Sequence, residues 1–560
     1  MANGKLQDDE LVREHLRNHD RLQTLRAPWE SLWQEIDERV NPLGAGSFGM
    51  FSPGARGAGV RFGSAGTLRG AGNFDVTAVE SLDRFTAAMA AITIPRNSQY
   101  IRLKFGNAEL DRVPRVRRWC ATAADRLHAI RYAPHTGFEV QAQEDFRQLG
   151  SYGTGPLWTG ERKGVGLFYK ALHLSECYVD EDFSGRIDTV HRRYVRTARQ
   201  CAQEFGRDAL TGKMRDALRD NKLDAEFDLL HVVCPNGDLD EGAYDHRGMP
   251  IMSLHLALDE KVVLRRAGFH SMPISVSRHV TGPSDIYGRS PAMKVMPAIK
   301  GVNAMAQTIL RAAHKVVDPA LAFYDDDGIT SLVTKPGGLN PGLVDDRGTL
   351  MVQALPTGSN LPIGLEMMEA ERGVIRTAFL EDFFRILTNP SDRMTATQVL
   401  EMVAKQGVLV APYAGRYETE KQNPVTQRDL DLAMRAGQVE PFPPEVREAG
   451  GYPQIEYENP LTRMARAEQA AGLTRWIEAM TPLSQVDSSV FDHIDVDNAA
   501  PGLADVLGVR PDWITTPDQV AAKRKAREDS KAAVEGVESM QGVASAYLDI
   551  AKGNQIAEMV

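Results

Sequence analysis

The residues that could do chemistry are few and poorly clustered. Gly150-Ser-Tyr-Gly153-Thr-Gly155 has the look of a phosphate-cradling loop. Such a loop follows a strand and opens a helix, so that the helix N-terminus meets the phosphate. Here a helical pattern precedes the glycines and a strand pattern follows, and no Gly-Lys-Ser/Thr completes a nucleotide loop. The segment reads as a helix C-cap and tight turn. Asp325-Asp326-Asp327-Gly328 and the trio Asp492, Asp495, Asp497 are carboxylate clusters of the kind that hold divalent cations. Neither has the ligand spacing of an EF-hand calcium loop. Asp-Gly is also a turn dipeptide, and a structural turn is the favoured reading of the first cluster. The 13 histidines include no His-Glu-x-x-His and no zinc-type pairing with cysteines. No Gly-x-Ser-x-Gly nucleophile turn and no kinase signature occurs. Lys523-Arg524-Lys525 with Arg527 is the strongest basic run, and on a terminal helix it reads as a solvated face.

Composition narrows the classes further. The 560 residues are 42% hydrophobic and 25% charged, enough for a large core and several domains. There are 75 acidic and 65 basic residues, for a formal net charge of -10. Tight general binding to duplex DNA needs a basic excess, which is missing. An acidic protein can still surround DNA that must slide past it. Cys120, Cys177, Cys201 and Cys234 share no Cys-x-x-Cys spacing and are too sparse for a disulfide framework, so they read as core residues in a reducing compartment. The polar, acidic stretch from Met1 to Arg13 does not resemble a secretory signal, and no run of about 18 apolar residues predicts a membrane span.

The elements that must position these residues begin with helices over Asp9–Arg26 and Pro28–Val40. The second carries Trp29, Leu32, Trp33, Ile36 and Val40 on one stripe. Gly44 to Gly72, rich in Gly, Ser and Pro with little to bury, reads as a long mobile loop. Asp75 is a candidate N-cap for a helix reaching Ile92. Tyr100–Phe105 reads as a strand, and helices follow over Arg115–Tyr132 and Thr136–Leu149. From Thr154 to about Arg265 the pattern is β, with a hairpin turn at Asp180–Arg186 and a short helix over Thr197–Phe205 closed by Gly206. Pro291–Lys315 then reads as one helix of about 25 residues, roughly 37 Å long. Its apolar stripe is Val295, Ile299, Val302, Ala306, Ile309 and Ala313. Lys300, Asn303, Gln307, Arg311 and His314 oppose it, and Pro297 is placed to kink its start. Val316–Pro362 is a small Gly- and Pro-punctuated β module. Helices resume over Gly364–Ile386, Thr395–Tyr417, Thr426–Ala436 and, after a Pro-rich linker over 441–460, Leu461–Met480 and Pro517–Val534. The fold class is α+β, mostly helical. The most informative feature is the pair of long helices flanking a small module: the polar stripe needs water and the apolar stripe needs a partner, which repeated copies supply by symmetry.

Several blocks, in order, resemble a known family. They are Arg26-Ala-Pro-Trp29; Tyr178-Val-Asp-Glu-Asp182 through Arg193 to Phe205-Gly206; Asp228–Pro235; and Pro273–Arg278. Ile286-Tyr287-Gly288-Arg289-Ser-Pro291, Val317-Asp318-Pro319 and Arg393-Met-Thr395-Ala396 complete the set. The family is the head-to-tail connector, or portal, of short-tailed, T7-like bacteriophages. The resemblance implies a portal fold of wing, stem, clip and crown, assembled as a ring that is usually a dodecamer. Residues 1–285 would form the wing, 286–315 and 363–386 the two stem helices, and 316–362 the clip. Residues 387–396 would form a channel loop, 397–460 further wing helices and a linker, and 461–560 the crown. The implied function is a channel at the unique capsid vertex for double-stranded DNA during packaging and ejection. No catalytic residue, metal or cofactor is implied. The implied partners are further copies of the chain, the terminase large subunit, tail adaptor or nozzle proteins, and the major capsid and scaffolding proteins, with no membrane. The implied location is the virion, after assembly in the host cytoplasm. Lys300, Arg311, Arg376 and Arg393 are the candidate channel contacts with DNA. The alternative is a metal-dependent nuclease, or another phage enzyme, using an Asp cluster.

Overall fold

The computed structural model describes residues 2–44, 70–162, 164–323, 361–381 and 413–458, with Phe48, parts of 332–355 and short stretches beyond 472. The helices are α1 (Ala2–Arg39), α2 (Thr77–Thr93), α3 (Ala108–Arg112), α4 (Pro114–Arg131), α5 (Phe138–Tyr152), α6 (Ala198–Phe205), α7 (Gly212–Arg219), α8 (Pro291–Lys294), α9 (Met296–Val317), α10 (Leu361–Ala378), α11 (Asn423–Arg435) and α12 (Pro444–Ala449). The strands are β1 (Ile101–Lys104), β2 (Thr154–Arg162), β3 (Gly166–Ala171), β4 (Cys177–Glu181), β5 (Ile187–Thr197), β6 (Glu226–Pro235), β7 (Ile251–Ala257), β8 (Val262–Phe269), β9 (Ile274–Arg278), β10 (Leu321–Phe323), β11 (Val352–Ala354) and β12 (Gln454–Tyr457). They form two compact units, residues 1–100 with 126–439, and 101–125 with 440–560.

The first unit is built on an antiparallel meander, β4-β5-β6-β7-β8. The expected turn at 180–186 joins β4 to β5. Asp182 Oδ1 accepts from the backbone N of Ser184 and Arg186, and Gly185 supplies φ +78. Alternation along β6 sends Leu230 and Val232 to one face and Leu229 to the other. The first face packs on α1 through Val12. The second packs on α6 and α7 through Cys201 and Met214. Neither α7 nor β9 was expected from the sequence pattern. A second sheet, β3-β2-β9, lies beside α5 and α11.

Four local expectations need correction. The first two helices are one: α1 runs through Pro28. Proline removes a hydrogen bond and crowds the carbonyl four residues back. Anchoring on both sides offsets this, because buried Arg26 donates to the carbonyls of Leu174, Ser175 and Cys177, and Trp33 and Ile36 are fully buried. The Gly44–Gly72 stretch does bury something: Phe48 is 2% exposed, with ring centroids 5.2 Å from Trp33 and 5.1 Å from Tyr152. The rest of that stretch up to residue 69 lies outside the described residues. Pro291–Lys315 is two helices, broken at Val295 (φ -108, ψ 14), because the Pro297 ring leaves no room for a helical carbonyl at Met293. Finally, residues 418–422 are helical rather than a gap. Pro424 cannot donate, and the chain passes through a π turn at Glu418–Gln422 in which Asn423 N reaches Glu418 O.

The expected cap at the glycine-rich segment is present. Gly153 ends α5 in the left-handed region (φ +79), its N–H reaching the carbonyls of Gln148 and Leu149. The glycine-rich segment is therefore a helix cap and turn. A Cβ there would lie 2.4 Å from Gly288 O, so the two glycines allow their backbones to cross. All four cysteines are free and buried or half-buried. No helix among the described residues is long and apolar enough to cross a membrane. In the second unit β1 pairs with β12, and Phe105, Trp119 and Phe442 cluster beneath α4, with Trp119 Nε1 donating to Glu440 O at 3.0 Å.

Candidate functional site: the helix pair and its β module

The helix pair α9 and α10 packs together and brackets the short antiparallel pair β10–β11, in register Leu321↔Ala354. Its foundation is a knot of residues from three of the sequence blocks. Arg26 lies 4.1 Å from the Tyr178 ring centroid, and Val179 N donates to Tyr287 Oη at 3.3 Å. The Trp29 ring lies 6.0 Å from that of Tyr287 at a tilt of 55°, and the Arg289 guanidinium sits 5.0 Å over Trp29. Ser290 then caps α8 by accepting from Met293 N at 3.0 Å. The aromatic knot thus fixes where the first long helix starts.

Burial falls along the pair. At the base Met296, Ile299 and Val302 of α9 are buried, as are Met368, Ile375 and Phe379 toward the end of α10. Farther out, Leu310 and Val317 continue the same helical stripe as Ile299 but are 49% and 85% exposed. On α10, Ile363, Met367 and Val374 share one outward stripe and are all more than half exposed. The apolar stripe therefore finds its partner inside the chain at the base and is left exposed among the described residues at the far end. Gly364 permits close approach there, since a Cβ would lie 3.4 Å from Ile309 Cδ1.

The polar residues of α9 behave differently from expectation. Asn303 does not face open water. Its Oδ1 accepts from Phe74 N at 2.6 Å and its Nδ2 donates to Gly72 O at 3.1 Å. It clamps α9 to the entry of α2. Arg372 on α10 grips the same place, donating to Asp75 Oδ2 from Nε at 2.9 Å and from Nη2 at 2.5 Å. Asp75 Oδ1 also accepts from Thr77 N, but the N-cap of α2 is Val76, one residue later than the sequence pattern placed it. Burial of the Asp75 carboxyl favours its neutral form, but the bonds from Thr77 and Arg372 prevail and hold its pKa below the usual carboxylate range. Sequence reasoning missed Asn303 and Arg372 as clamps, because their partners lie more than 200 residues away. A polar crevice of about 330 Å³ between α2 and α10 is lined by Ser81, Arg84, Gly373, Arg376 and Glu381 among others.

Of the four candidate contact residues, Lys300 is half exposed and ion-paired with Glu35 at 2.6 Å. Arg376 pairs with Glu369 at 2.6 Å. Arg311 is exposed and makes no ion pair among the described residues, and the exposed His314 and Lys315 follow it in the last turn of α9. Arg393 lies outside the described residues, as does the loop at 387–396. Asp325–Gly328, Asp492 and Asp497 lie outside them too, and among the described residues no group of His, Cys, Asp and Glu is arranged to hold a metal ion. The described part of the terminal basic helix, 519–530, is exposed wherever its side chains are described, apart from half-buried Val520.

The described helix pair, packed on itself and bracketing a short β module, is the part of the chain that most needs an outside identification. The family model for bacteriophage head to tail connecting proteins matches residues 13–514, and the chain belongs to that family. Two curated relatives are a probable portal protein of Bordetella phage BPP-1 and the portal protein of Salmonella phage epsilon15. The first is 26% identical over 92% of this chain and 90% of its own length. The second is 26% identical over 71% and 72%. Among solved structures, a chain from the neck of a native GTA particle with C12 symmetry aligns at a TM-score of 0.36 and 14% identity, covering 72% of this chain and 87% of that one. A likeness of that degree adds nothing to the family assignment.

Proposed function

We propose that copies of this chain close into a ring, twelve to the ring, forming the portal channel through which double-stranded DNA enters and leaves the capsid. One observation carries the reading. Among the described residues, 13 of the 27 exposed large hydrophobic side chains lie between Leu310 and Val374, on the helix pair and its module. A monomer has no use for that concentration, and a neighbouring copy in a closed ring buries it. In this reading 1–285 and 397–460 are the wing, 286–315 and 363–386 the stem, 316–362 the clip, 387–396 the channel loop and 461–560 the crown. The clip is the docking platform for the terminase large subunit and later for the tail adaptor or nozzle proteins. The wing and crown meet the major capsid and scaffolding proteins. The ring is built in the host cytoplasm and ends at the capsid vertex.

The electrostatics suit a passage rather than a grip. A net charge of -10 repels phosphate, and a few cations give weak contacts that salt screens. Lys300 and Arg376 already share their charge with glutamates, so Arg311 is the strongest described candidate for a sliding contact, with Arg393 proposed beside it. The chain supplies no nucleotide loop, so the work of moving DNA falls to the terminase. Electron microscopy of the purified protein tests the ring: end-on views should show a hole wide enough for B-form duplex, and views without one overturn the proposal. Arg311→Glu should leave the ring intact and lower the amount of DNA packaged. Unchanged packaging removes Arg311 from the channel wall.

A further inference from the structure

The second unit carries a concentration of positive charge that the channel reading does not use. Arg112 ends α3, and Arg115, Arg117 and Arg118 fall in the first five residues of α4. All four are exposed. No acidic residue occupies the first turn of α4, although an 18-residue helix presents its positive end there. The placement opposes the helix dipole and stacks like charges, on a chain whose net charge is -10. Local rules broken in this way mark functional surfaces.

The nearby acids do not cancel the patch. Asp111 is engaged by Phe105 N at 3.0 Å, and Glu445 reaches only Arg115, at 3.8 Å. Glu109 and Asp125 are exposed at either side, one turn or more away. Arg112, Arg117 and Arg118 make no ion pair among the described residues. The opposite face of α4 is rigidly seated: Val116, Trp119, Cys120 and Ala123 are buried, with Phe105 and Phe442 against Trp119. The arginines therefore stand on a fixed platform.

We infer that Arg112, Arg115, Arg117 and Arg118 form a binding surface for the phosphate backbone of duplex DNA, separate from the channel contacts on the helix pair. Arginine matches phosphate bidentately. Between residues 107 and 125 no large hydrophobic side chain is exposed, so the patch lacks the apolar anchor of a protein-docking site. Recognition through charge alone is independent of sequence and strongly dependent on salt. DNA as the occupant follows from the proposed function, while the surface itself does not depend on ring closure.

Fluorescence anisotropy with the full-length protein and a labelled 30-base-pair duplex tests this across a salt series. Arg117→Ala with Arg118→Ala should weaken binding at least 5-fold at low salt. It should also reduce the slope of log affinity against log salt by about 1.8, as expected for two lost phosphate contacts. Arg117→Lys with Arg118→Lys should retain most of the affinity, and an unchanged thermal midpoint excludes unfolding. The inference is overturned if the wild type does not bind the duplex, or if the double alanine variant binds with unchanged affinity and slope. It is also overturned if polyglutamate but not duplex binding is lost, which assigns the patch to an acidic protein. Native mass spectrometry of the same samples reports the ring independently, so failure of the patch and failure of the ring are distinguishable.

Discussion

The body around the β sheets and the helix pair with its module solve opposite problems. In the body even charged groups are buried, and they are paired with opposite charges. The Lys421 ammonium, 2% exposed, donates to Asp145 Oδ1 at 2.9 Å, Gly155 O at 2.7 Å and Ser275 O at 2.8 Å, three acceptors for its three hydrogens. Burial raises the Asp145 pKa, and Lys421 opposes that rise. Arg131 is buried against Asp429, Tyr100 and Thr426 in the same manner. Along the far half of the helix pair a stripe of apolar side chains is exposed among the described residues. The body buries its charges within the chain, whereas under the proposed function the helix pair finishes its burial against a neighbouring copy.

The largest effect should come from breaking a buried pair in the body. Asp145→Ala leaves the Lys421 charge uncompensated and should lower stability by about 3–5 kcal/mol, measured by denaturant unfolding. A loss below about 1 kcal/mol would show that the body tolerates an unpaired charge.

Acid should act next. His19 is stacked on His191 at 5.7 Å between α1 and β5, and neither ring has a hydrogen-bond partner. Burial, reinforced by Arg193 and Arg26, lowers the His19 pKa to about 4. His191 is pushed well below its ordinary value by burial and by His19 and His15. The unfolded chain takes up these protons near pH 6.5 and the folded chain does not. Stability is therefore intact above about pH 6.5 and lost as the pH falls toward 4. For His19 alone the loss by pH 4 is on the order of 3 kcal/mol. Thermal midpoints should hold from pH 7.5 to about 6.5 and fall from there to pH 4.5, and His19→Phe with His191→Leu should flatten the curve. A pH-independent wild type would contradict this.

Smaller still is the junction between the two regions. Arg372→Ala removes a half-exposed partner of Asp75 and should lower stability by about 1–2 kcal/mol. It should also loosen α10 against α2, read as faster amide exchange at Thr77 and Ala78. Unchanged exchange would mean that the clamp is not holding the helix pair. Smallest in the isolated subunit is Met367→Asp with Val374→Asp on the exposed stripe. Subunit stability should change by less than about 0.5 kcal/mol.

Much of this contrast was legible in the sequence, because local signals set much of it. The Asp180–Arg186 turn, the Gly153 cap and the 3.6-residue stripe of the first long helix depend on neighbours in the chain. The parts that were not legible depend on distant residues. Pro28 reads as a helix start, and it is overridden by contacts between Arg26 and residues 174–177. Asn303 reads as a water-facing residue, and Gly72 and Phe74 claim it. Residues 418–425 read as a gap between helices, and the π turn there carries Lys421 into the core. At the helix pair the pattern showed an unsatisfied stripe but not where along the helices satisfaction ends.

Native mass spectrometry of the full-length wild type beside Met367→Asp with Val374→Asp tests most directly whether the exposed stripe closes the ring. The wild type should appear as a closed multimer, near twelve copies. The variant should appear as a folded monomer with an unchanged thermal midpoint. A wild type that stays monomeric under all assembly conditions, or a variant that assembles as well as the wild type, would contradict ring closure through the helix pair.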